Sequence, residues 1–261
     1  MIQETLITTS NLTNNSNRFK TYFGRFKILF NLIIVLASIN GFSQTLQKGW
    51  STFSGKIENT PVIVSIFNEG NGILNGDYCY IKYENRIVLK GKINGNEISL
   101  EEFIENHLNA KFIGKINEED NTIKGKWRYL AKNTELPFSL NLLSWTGGSL
   151  KNKYSFSTSN EVVEAFFKKI KQSILTNDKI WLSKNIHYPI NIDLNNKKLK
   201  ISNQSQFLNN YSKITTENLK IKNKNSCVCD IFSNWQGAMF ADGLIWINEY
   251  NGKLKISAIN N

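Results

Sequence analysis

Few side chains of this 261-residue chain are of the types that carry enzyme chemistry. The chain holds two histidines, His107 and His187, and three cysteines. A zinc site typically needs three or four converging His, Cys or carboxylate ligands, and the sequence has neither an HExxH spacing nor paired CxxC spacings. It also lacks a GxSxG elbow, a phosphate-binding P-loop and a dinucleotide-binding GxGxxG. We therefore expect no metal centre, no cofactor, and neither serine-hydrolase nor nucleotide chemistry.

The cysteines are Cys79, Cys227 and Cys229. Cys227 and Cys229 lie two residues apart on a predicted strand, so they share a face with Cα atoms about 6.5–7 Å apart and are poorly placed to bridge each other. Cys79 belongs to the other predicted domain. Two states remain open. Either all three are buried free thiols, or one interdomain or intermolecular disulfide forms, since an exported chain meets oxidants.

Residues 28–39 form an apolar run that follows four basic side chains. A transmembrane helix needs roughly 20 apolar residues, whereas a run of about a dozen is typical of a secretory signal. Gly41 and Ser43 supply the small residues that signal peptidase requires, so we predict a signal peptide over residues 1–43. The mature chain would begin at Gln44, without a stable membrane span, in the periplasm or outside the cell. An uncleaved anchor and a buried helix are the alternatives.

The charge of the chain limits its partners. Its net charge is +11, and every basic residue within 155–261 is Lys. Proteins that bind nucleic acid usually use Arg, because its planar guanidinium pairs with phosphate and guanine through two hydrogen bonds. An excess made of Lys alone is more typical of solubility and of weak attraction to anionic surfaces. We expect no nucleic-acid partner.

Residues 44–143 are predicted to form an all-β domain. Short apolar segments alternate with turn signals such as Asn75-Gly76. A Gly-Lys pair followed by an apolar residue recurs at 55–57, 91–93, 114–116 and 125–127. A Gly inside a strand often marks a bulge or a sharp bend. The pattern predicts an antiparallel meander, which forms either a strongly coiled sheet or a small open barrel.

Residues 144–157 are rich in Ser, Lys and Asn and are predicted to be a linker. The region 158–261 then begins with helical spacing of its apolar residues over 162–174. A second short helix, a hairpin around Asn195-Asn196 and another helix follow. Three or four closing strands, which include residues 219–221 and 227–235, complete the pattern. Helices followed by an antiparallel sheet predict an α+β domain.

The order of these elements resembles the nuclear-transport-factor-2-like (polyketide-cyclase-like) superfamily. The residues that carry the resemblance are 163–167, Asn177-Asp178, 186–190, the helix over 207–214, and the closing strands with 234–237 and 243–246. The resemblance implies a cone-shaped domain in which N-terminal helices pack on a curved antiparallel sheet and leave a pocket. The N-terminal half resembles β-meander modules of secreted bacterial proteins that have no assigned activity.

The resemblance also implies where catalytic groups would lie. Enzymes of the superfamily place an Asp base or an Asp–His pair inside the cone, and the candidates here are His187, Asp193, Asp230 and Asp242. We assign no catalytic residue and keep His187 and Asp230 only as the candidates for the alternative in which the protein is an enzyme. The alternatives are that His187 is a hydrogen-bonded residue entering a strand, that Asp230 faces solvent, and that Asp242 begins an Asp-Gly turn.

Three aromatic residues, Tyr188, Trp235 and Trp246, are candidate ligand-binding residues if they face the concave side of the cone. Otherwise they belong to the core. We expect an exported, non-enzymatic protein with a binding or scaffold role, which takes a small apolar ligand in the cone or forms a homodimer. The alternatives are an isomerase- or dehydratase-like enzyme that uses the cone, and a protein-interaction module of the cell envelope that adds a strand to an exposed edge of the meander.

Overall fold

The computed structural model describes residues 46–194 and 197–261. The predicted signal peptide and its cleavage site lie outside these residues. Strands outnumber helices in the described chain, which is therefore mostly β. Among the described residues, no helix combines the length and the apolar character that a membrane span requires.

Eight antiparallel strands form a closed barrel in which each strand pairs with the next and β1 pairs with β8. The strands are β1 (Gly49–Ile57), β2 (Thr60–Asn68), β3 (Ile73–Tyr80), β4 (Arg86–Asn94), β5 (Glu97–Ile104), β6 (His107–Asn117), β7 (Thr122–Tyr129) and β8 (Thr134–Thr146). The expectation of an open barrel is wrong. A ladder from Trp50–Thr146 to Ile57–Phe138 joins the two ends of the meander, and no local turn signal specifies such a distant pairing.

Glycines allow neighbouring strands of the barrel to approach closely. At Gly55 a Cβ atom would lie 2.0 Å from the carbonyl oxygen of Ser139 on β8. At Gly125 it would lie 2.1 Å from the carbonyl oxygen of Ile113 on β6. Only a residue without a side chain permits this approach. Both glycines belong to the recurring Gly-Lys pairs, so those pairs mark places where the coiled strands of the barrel come together.

The barrel interior is filled by apolar side chains from alternate strand positions. Val62, Val64 and Ile66 of β2 point inward and are almost fully buried. The outward side chains between them, Ile63 and Ser65, are equally buried. Burial on both faces of β2 therefore marks the side of the barrel that the rest of the chain covers.

The second region combines four helices with a six-stranded sheet. The helices are α1 (Asn160–Leu175), α2 (Lys179–Lys184), α3 (Gln204–Ile214) and α4 (Glu217–Asn225). The strands are β9 (Ile190–Leu194), β10 (Lys197–Ile201), β11 (Phe232–Asn234), β12 (Gly237–Phe240), β13 (Ile245–Tyr250) and β14 (Lys253–Asn260). Their order in the sheet is β10-β9-β14-β13-β12-β11, and β9 runs parallel to β14.

The expected α+β cone with N-terminal helices is wrong. Two of the helices, α3 and α4, lie between β10 and β11 in the chain. Residues 219–221, predicted as a strand, belong to α4, where the Thr216 side chain accepts a hydrogen bond from the Leu219 N–H and caps the helix. Residues 227–230 form a turn closed by the Asp230 N–H and the Cys227 carbonyl oxygen, so only β11 remains of the long strand predicted over 227–235.

The interior of the second region is packed rather than open. Val163, Phe167 and Ile170 of α1 are completely buried against the sheet. The space left among the core side chains, which include Phe207 and Ile256, is about 10 Å³. That volume is at the lower limit for a single water molecule. This space therefore has no room for the small apolar ligand that a cone would hold.

The segment 144–157, predicted as a linker, packs against both halves of the structure. β8 continues into it as far as Thr146. Further on, the side chains of Lys153 and Tyr154 are only 4% and 1% exposed. The segment thus brings a buried cation into the contact between the barrel and the second region.

Candidate functional site

The outer face of β2, β3 and β4 forms the contact with the second region. The strand register aligns Ile63 with Cys79, and Cys79 with Arg86, so these three side chains form one row across the barrel surface. Asp77 lies two residues before Cys79 on the same face of β3. An apolar residue, a cysteine and an ion pair are therefore presented together to the second region. We use the term junction for the contact between this row of residues and the second region.

All three cysteines meet at the junction. Cys79 of β3 forms a disulfide with Cys229, which lies in the turn after α4, and their Cα atoms are 6.6 Å apart. Cys227 is a buried free thiol. Its sulfur accepts a hydrogen bond from the Cys229 N–H at 3.3 Å, and the three sulfur atoms lie within 4.8 Å of one another. Of the two states that the sequence left open, the structure has the disulfide between the two halves.

A half-buried network of charges lies beside the disulfide. The Arg86 guanidinium forms an ion pair with Asp77 and donates from Nε to Glu164 Oε2 at 2.7 Å. The Tyr154 hydroxyl donates to Glu164 Oε1 at 2.7 Å and accepts from Arg86 Nη2 at 3.3 Å. Burial raises the pKa of Tyr154 well above its ordinary value. Because each charged group has an oppositely charged or hydrogen-bonding partner, the network fixes the position of the second region against the barrel.

Lys153 is the most unusual cation of the junction. Its Nζ donates a hydrogen bond to Ser65 Oγ at 2.7 Å and lies 5.4 Å from the ring centroids of both Trp50 and Tyr154. Burial lowers the pKa of this amine to about 8, and the positive charge of Arg86 contributes in the same direction. A lysine with such a pKa exchanges its proton near physiological pH.

A cavity of about 440 Å³ opens next to the cysteines. Its apolar walls are Ile63 and Ile81 from the barrel and Ile221, Phe232 and Phe240 from the second region. A volume of a few hundred Å³ is typical of sites for small molecules. Both halves of the chain therefore contribute to one cavity of ligand size.

Polar groups line the cavity beside its apolar walls, and Asn225 and Ser226 are among them. They include the Cys227 thiol, the Asp230 carboxyl, and an ion pair between Lys222 and Asp242 at 2.6 Å. Asp230 lines the cavity but is exposed to solvent, as one of the alternatives for this residue expected. Desolvation raises the pKa of its carboxyl group, although Lys153 acts in the opposite direction. Burial likewise raises the pKa of the Cys227 thiol. The cavity thus offers one carboxyl group and one thiol to a guest.

The structure places the two catalytic candidates, His187 and Asp230, in different surroundings. His187 is exposed, and its ring stacks on Tyr250 with centroids 3.6 Å apart. Asp230 lies at the junction cavity, which His187 does not line. Of the other two carboxyl groups, Asp242 lies at the rim of the same cavity and Asp193 is on β9. His187 and Asp230 are therefore not brought together at one pocket.

The three candidate aromatic residues do not form a common surface either. The Tyr188 hydroxyl donates to the Ser183 carbonyl oxygen at 2.9 Å, and the ring packs on the core. Trp235 lies in the turn between β11 and β12 and is 90% exposed. Trp246 of β13 is half-buried and donates to the Gly243 carbonyl oxygen at 2.9 Å. Each side chain thus has a separate environment.

Sequence reasoning missed Lys153 and the grouping of Cys227 with Asp230. The signal for Lys153 was present, because Tyr154 and Phe156 are bulky apolar residues within a polar segment, and such residues need a surface to pack on. The grouping of Cys227 with Asp230 had a weaker signal. It depends on the turn over residues 227–230, whereas the alternating pattern of this segment predicted a strand.

A second polar cluster lies inside the barrel. The Glu102 carboxylate is 1% exposed and accepts hydrogen bonds from the Tyr78 hydroxyl and Trp127 Nε1, each at 2.8 Å, and from Asn109 Nδ2. Burial, followed by the charge of Glu102, raises the pKa of Tyr78. The members of this cluster satisfy one another, which indicates a structural role within the barrel.

A groove of about 620 Å³ runs over the outer face of the barrel, across β4 to β8. Its cations are Lys92, Lys115, Lys124, Lys126 and Arg128, and its carboxylates are Glu97 and Glu135. The surplus of cations makes the groove electropositive.

A scan against protein-family models and a search of curated proteins gave no match to this chain. Function is therefore inferred from the geometry of the junction and of the groove.

Proposed function

We propose that this protein is an exported, non-enzymatic binding protein that takes a small molecule in the junction cavity. The observation that carries the proposal is the cavity of about 440 Å³, which both halves of the chain enclose. The filled core of the second region favours this cavity over the expected cone as the binding site. The disulfide between Cys79 and Cys229 supports export, because such bonds persist mainly in oxidising compartments.

The lining of the cavity defines the class of ligand. Apolar walls from Ile63, Ile81 and Phe232 favour an apolar body, while the Asp230 carboxylate favours a cation or a hydrogen-bond donor at one end. Lys222 and Asp242 neutralise each other at the rim and add no net charge. We therefore propose a small ligand that has an apolar body and carries an amine.

The test compares two probes that share an indole ring and differ in charge. Tryptamine carries an ammonium group and indole-3-propionate carries a carboxylate. Binding to the chain from Gln44 is measured by ligand-observed NMR near neutral pH. We expect tryptamine to bind up to about fivefold more tightly than indole-3-propionate, because a charge pair with an exposed carboxylate such as Asp230 contributes at most about 1 kcal/mol.

The Asp230→Asn variant should lose this preference while it keeps weak binding of the indole ring. Asp120→Asn is the matched control, since Asp120 lies in the β6–β7 turn and does not line the cavity. Equal affinity of both probes for the unmodified chain, or a preference that survives Asp230→Asn, would contradict the assignment of Asp230. Absence of binding by either probe would contradict the cavity itself.

A second candidate function, protein interaction, is favoured by the electropositive groove on the barrel. Addition of a strand is not available there, because every barrel strand is paired on both sides. At the edge of the second sheet, β10 exposes Lys197, Lys198 and Lys200, which discourage strand addition. The partner proposed for the groove is an acidic segment of another envelope protein.

Fluorescence anisotropy with a labelled oligoglutamate peptide tests this second candidate. We expect binding that weakens as salt increases and that the double variant Lys124→Glu/Lys126→Glu abolishes. The double variant Lys198→Glu/Lys200→Glu on β10 makes the same change of net charge away from the groove and should bind normally. Equal loss in both variants would show that net charge alone attracts the peptide.

The resemblance to the nuclear-transport-factor-2-like superfamily and the formation of a homodimer stay predictions.

A further inference from the structure

The three cysteines differ in their exposure to solvent. Cys79 and Cys229, which form the bridge, are 0% and 1% exposed, whereas Cys227 is 7% exposed and lines the junction cavity. These are all the cysteines of the chain, and their sulfur atoms lie within 4.8 Å of one another. A free thiol therefore lies between a cavity of ligand size and a buried disulfide.

We propose that Cys79, Cys227 and Cys229 form a thiol–disulfide exchange site, in which Cys227 connects the buried bridge to small thiols in the cavity. This activity goes beyond the proposed binding of an amine and does not depend on that ligand. An unpaired cysteine in an exported chain already indicates a reactive thiol or an intermolecular partner. Here the bridge within reach of Cys227 supplies an intramolecular partner.

The first step of the exchange takes place within the chain. The Cys227 thiolate attacks the Cys79 sulfur, a Cys227–Cys79 bond forms, the Cys79–Cys229 bond breaks, and Cys229 leaves as a thiolate. The number of disulfides is unchanged, so no oxidant or reductant is consumed. Because Cys227 and Cys229 belong to one turn, the barrel and the second region remain covalently joined after the step.

The second step involves a low-molecular-weight thiol in the cavity. Its thiolate attacks Cys227 of the Cys227–Cys79 bond, forms a mixed disulfide with Cys227 and releases the Cys79 thiolate. A second molecule of the same thiol then attacks the mixed disulfide, which yields the free Cys227 thiolate and a small-molecule disulfide. Two thiols are oxidised and one protein disulfide is reduced, and the reverse sequence forms the bridge again.

The surroundings of Cys227 determine how its rate depends on pH. Burial raises the pKa of the thiol, and the Glu84 carboxylate acts in the same direction, while Lys171 and Arg86 oppose it. Lys171 lies close by, since its Nζ donates to Glu84 Oε1 at 2.7 Å and to the Ser226 carbonyl oxygen at 2.6 Å. The thiolate is the attacking species, so exchange should be slow at neutral pH and accelerate in alkali.

The experiment follows reduction of the bridge by 2-mercaptoethanol in the folded chain from Gln44 at about pH 8.5. Samples are quenched by acid, alkylated, digested and analysed by mass spectrometry. In the unmodified chain we expect a linked Cys79–Cys227 peptide besides the Cys79–Cys229 peptide. The Cys227→Ser variant should lose its bridge at least about tenfold more slowly, because the thiol then has no route to the buried sulfurs.

Two controls separate exchange from a loss of structure. In concentrated guanidinium chloride the unmodified chain and Cys227→Ser should be reduced at equal rates, since every sulfur is then exposed. Cys227→Ala, which also lacks the thiol, should behave as Cys227→Ser does under native conditions. Equal native rates in all three chains, with only the Cys79–Cys229 peptide detected, would overturn the proposal. That outcome would leave the binding of tryptamine in the cavity unaffected.

Discussion

The buried amine of Lys153 allows a sharp test of the junction. The substitution Lys153→Met replaces the lysine with an unbranched side chain of apolar character and so removes the titrating amine. In the folded chain burial lowers the pKa of Lys153 to about 8, whereas the ordinary value is 10.5. Between these two values the unfolded chain binds more protons than the folded chain. The free energy of unfolding contributed by this residue therefore increases as the pH rises from about 8 to 10.5.

The size of the effect can be worked out from the same two values. At pH 7 and below, keeping Lys153 charged in the folded chain costs about 3 kcal/mol and varies little with pH. By about pH 9.5 the folded amine is mostly neutral, and about 2 kcal/mol of this cost is relieved. The hydrogen bond to Ser65 and the rings of Trp50 and Tyr154 offset part of the cost. We expect Lys153→Met to be at least as stable as the parent at pH 7.

Urea unfolding between about pH 6 and pH 9.5 measures the difference. Both chains carry Cys227→Ser as well, so that no thiol attacks the bridge in alkali. Lys151→Met is the matched control, because Lys151 lies in the same segment and is exposed. Its difference from the parent should be independent of pH. If the parent gains nothing relative to Lys153→Met between pH 7 and pH 9.5, Lys153 titrates as a free lysine and the reasoning is refuted.

Three further predictions concern the stability of the fold, each measured by urea unfolding. Gly125→Ala should lower the free energy of unfolding by at least about 2 kcal/mol, because its Cβ would lie 2.1 Å from a carbonyl oxygen, while Gly147→Ala, with open space around it, should change it by less than about 0.5 kcal/mol. Cys79→Ser should cost about 2–5 kcal/mol, since the lost bridge joins residues separated by 150 positions, and a reducing agent should then have no further effect. Glu102→Leu should cost about 3 kcal/mol, because it leaves the donors of its cluster without an acceptor; a neutral result would contradict the buried position of Glu102.

Features that depend on neighbouring residues could be predicted from the sequence. The sequence predicted a second short helix after the first, and at the beginning of α2 the Asp178 side chain accepts a hydrogen bond from the Trp181 N–H. Alternating apolar residues on either side of Asn195-Asn196 predicted the antiparallel pairing of β9 with β10. The Gly-Lys pairs predicted a curled sheet. Each of these signals acts over a few residues, so the sequence displays it directly.

Features that depend on distant parts of the chain could not be predicted. Closure of the barrel needs β1 and β8 to pair, and the Cys79–Cys229 bridge joins residues separated by 150 positions. The apolar pattern of residues 219–221 suits a strand as well as a helix, and tertiary packing around α4 decided between them. The polar composition around Lys153 predicts a linker. The burial of this side chain could not be predicted, because it requires the distant barrel surface at Ser65. The candidate site consists almost entirely of such distant contacts.

The disulfide also determines the outcome of a cut in the main chain. Together with the backbone from residue 79 to residue 229, the bridge forms a covalent ring that contains most of the barrel strands, α1 to α4 and the exposed segment around Gly147. A protease that cleaves once within this ring opens it without separating the two products. Such a nicked molecule migrates as one band in a non-reducing gel and as two bands after reduction. The chain can therefore be cut once between the two halves and remain a single covalent molecule.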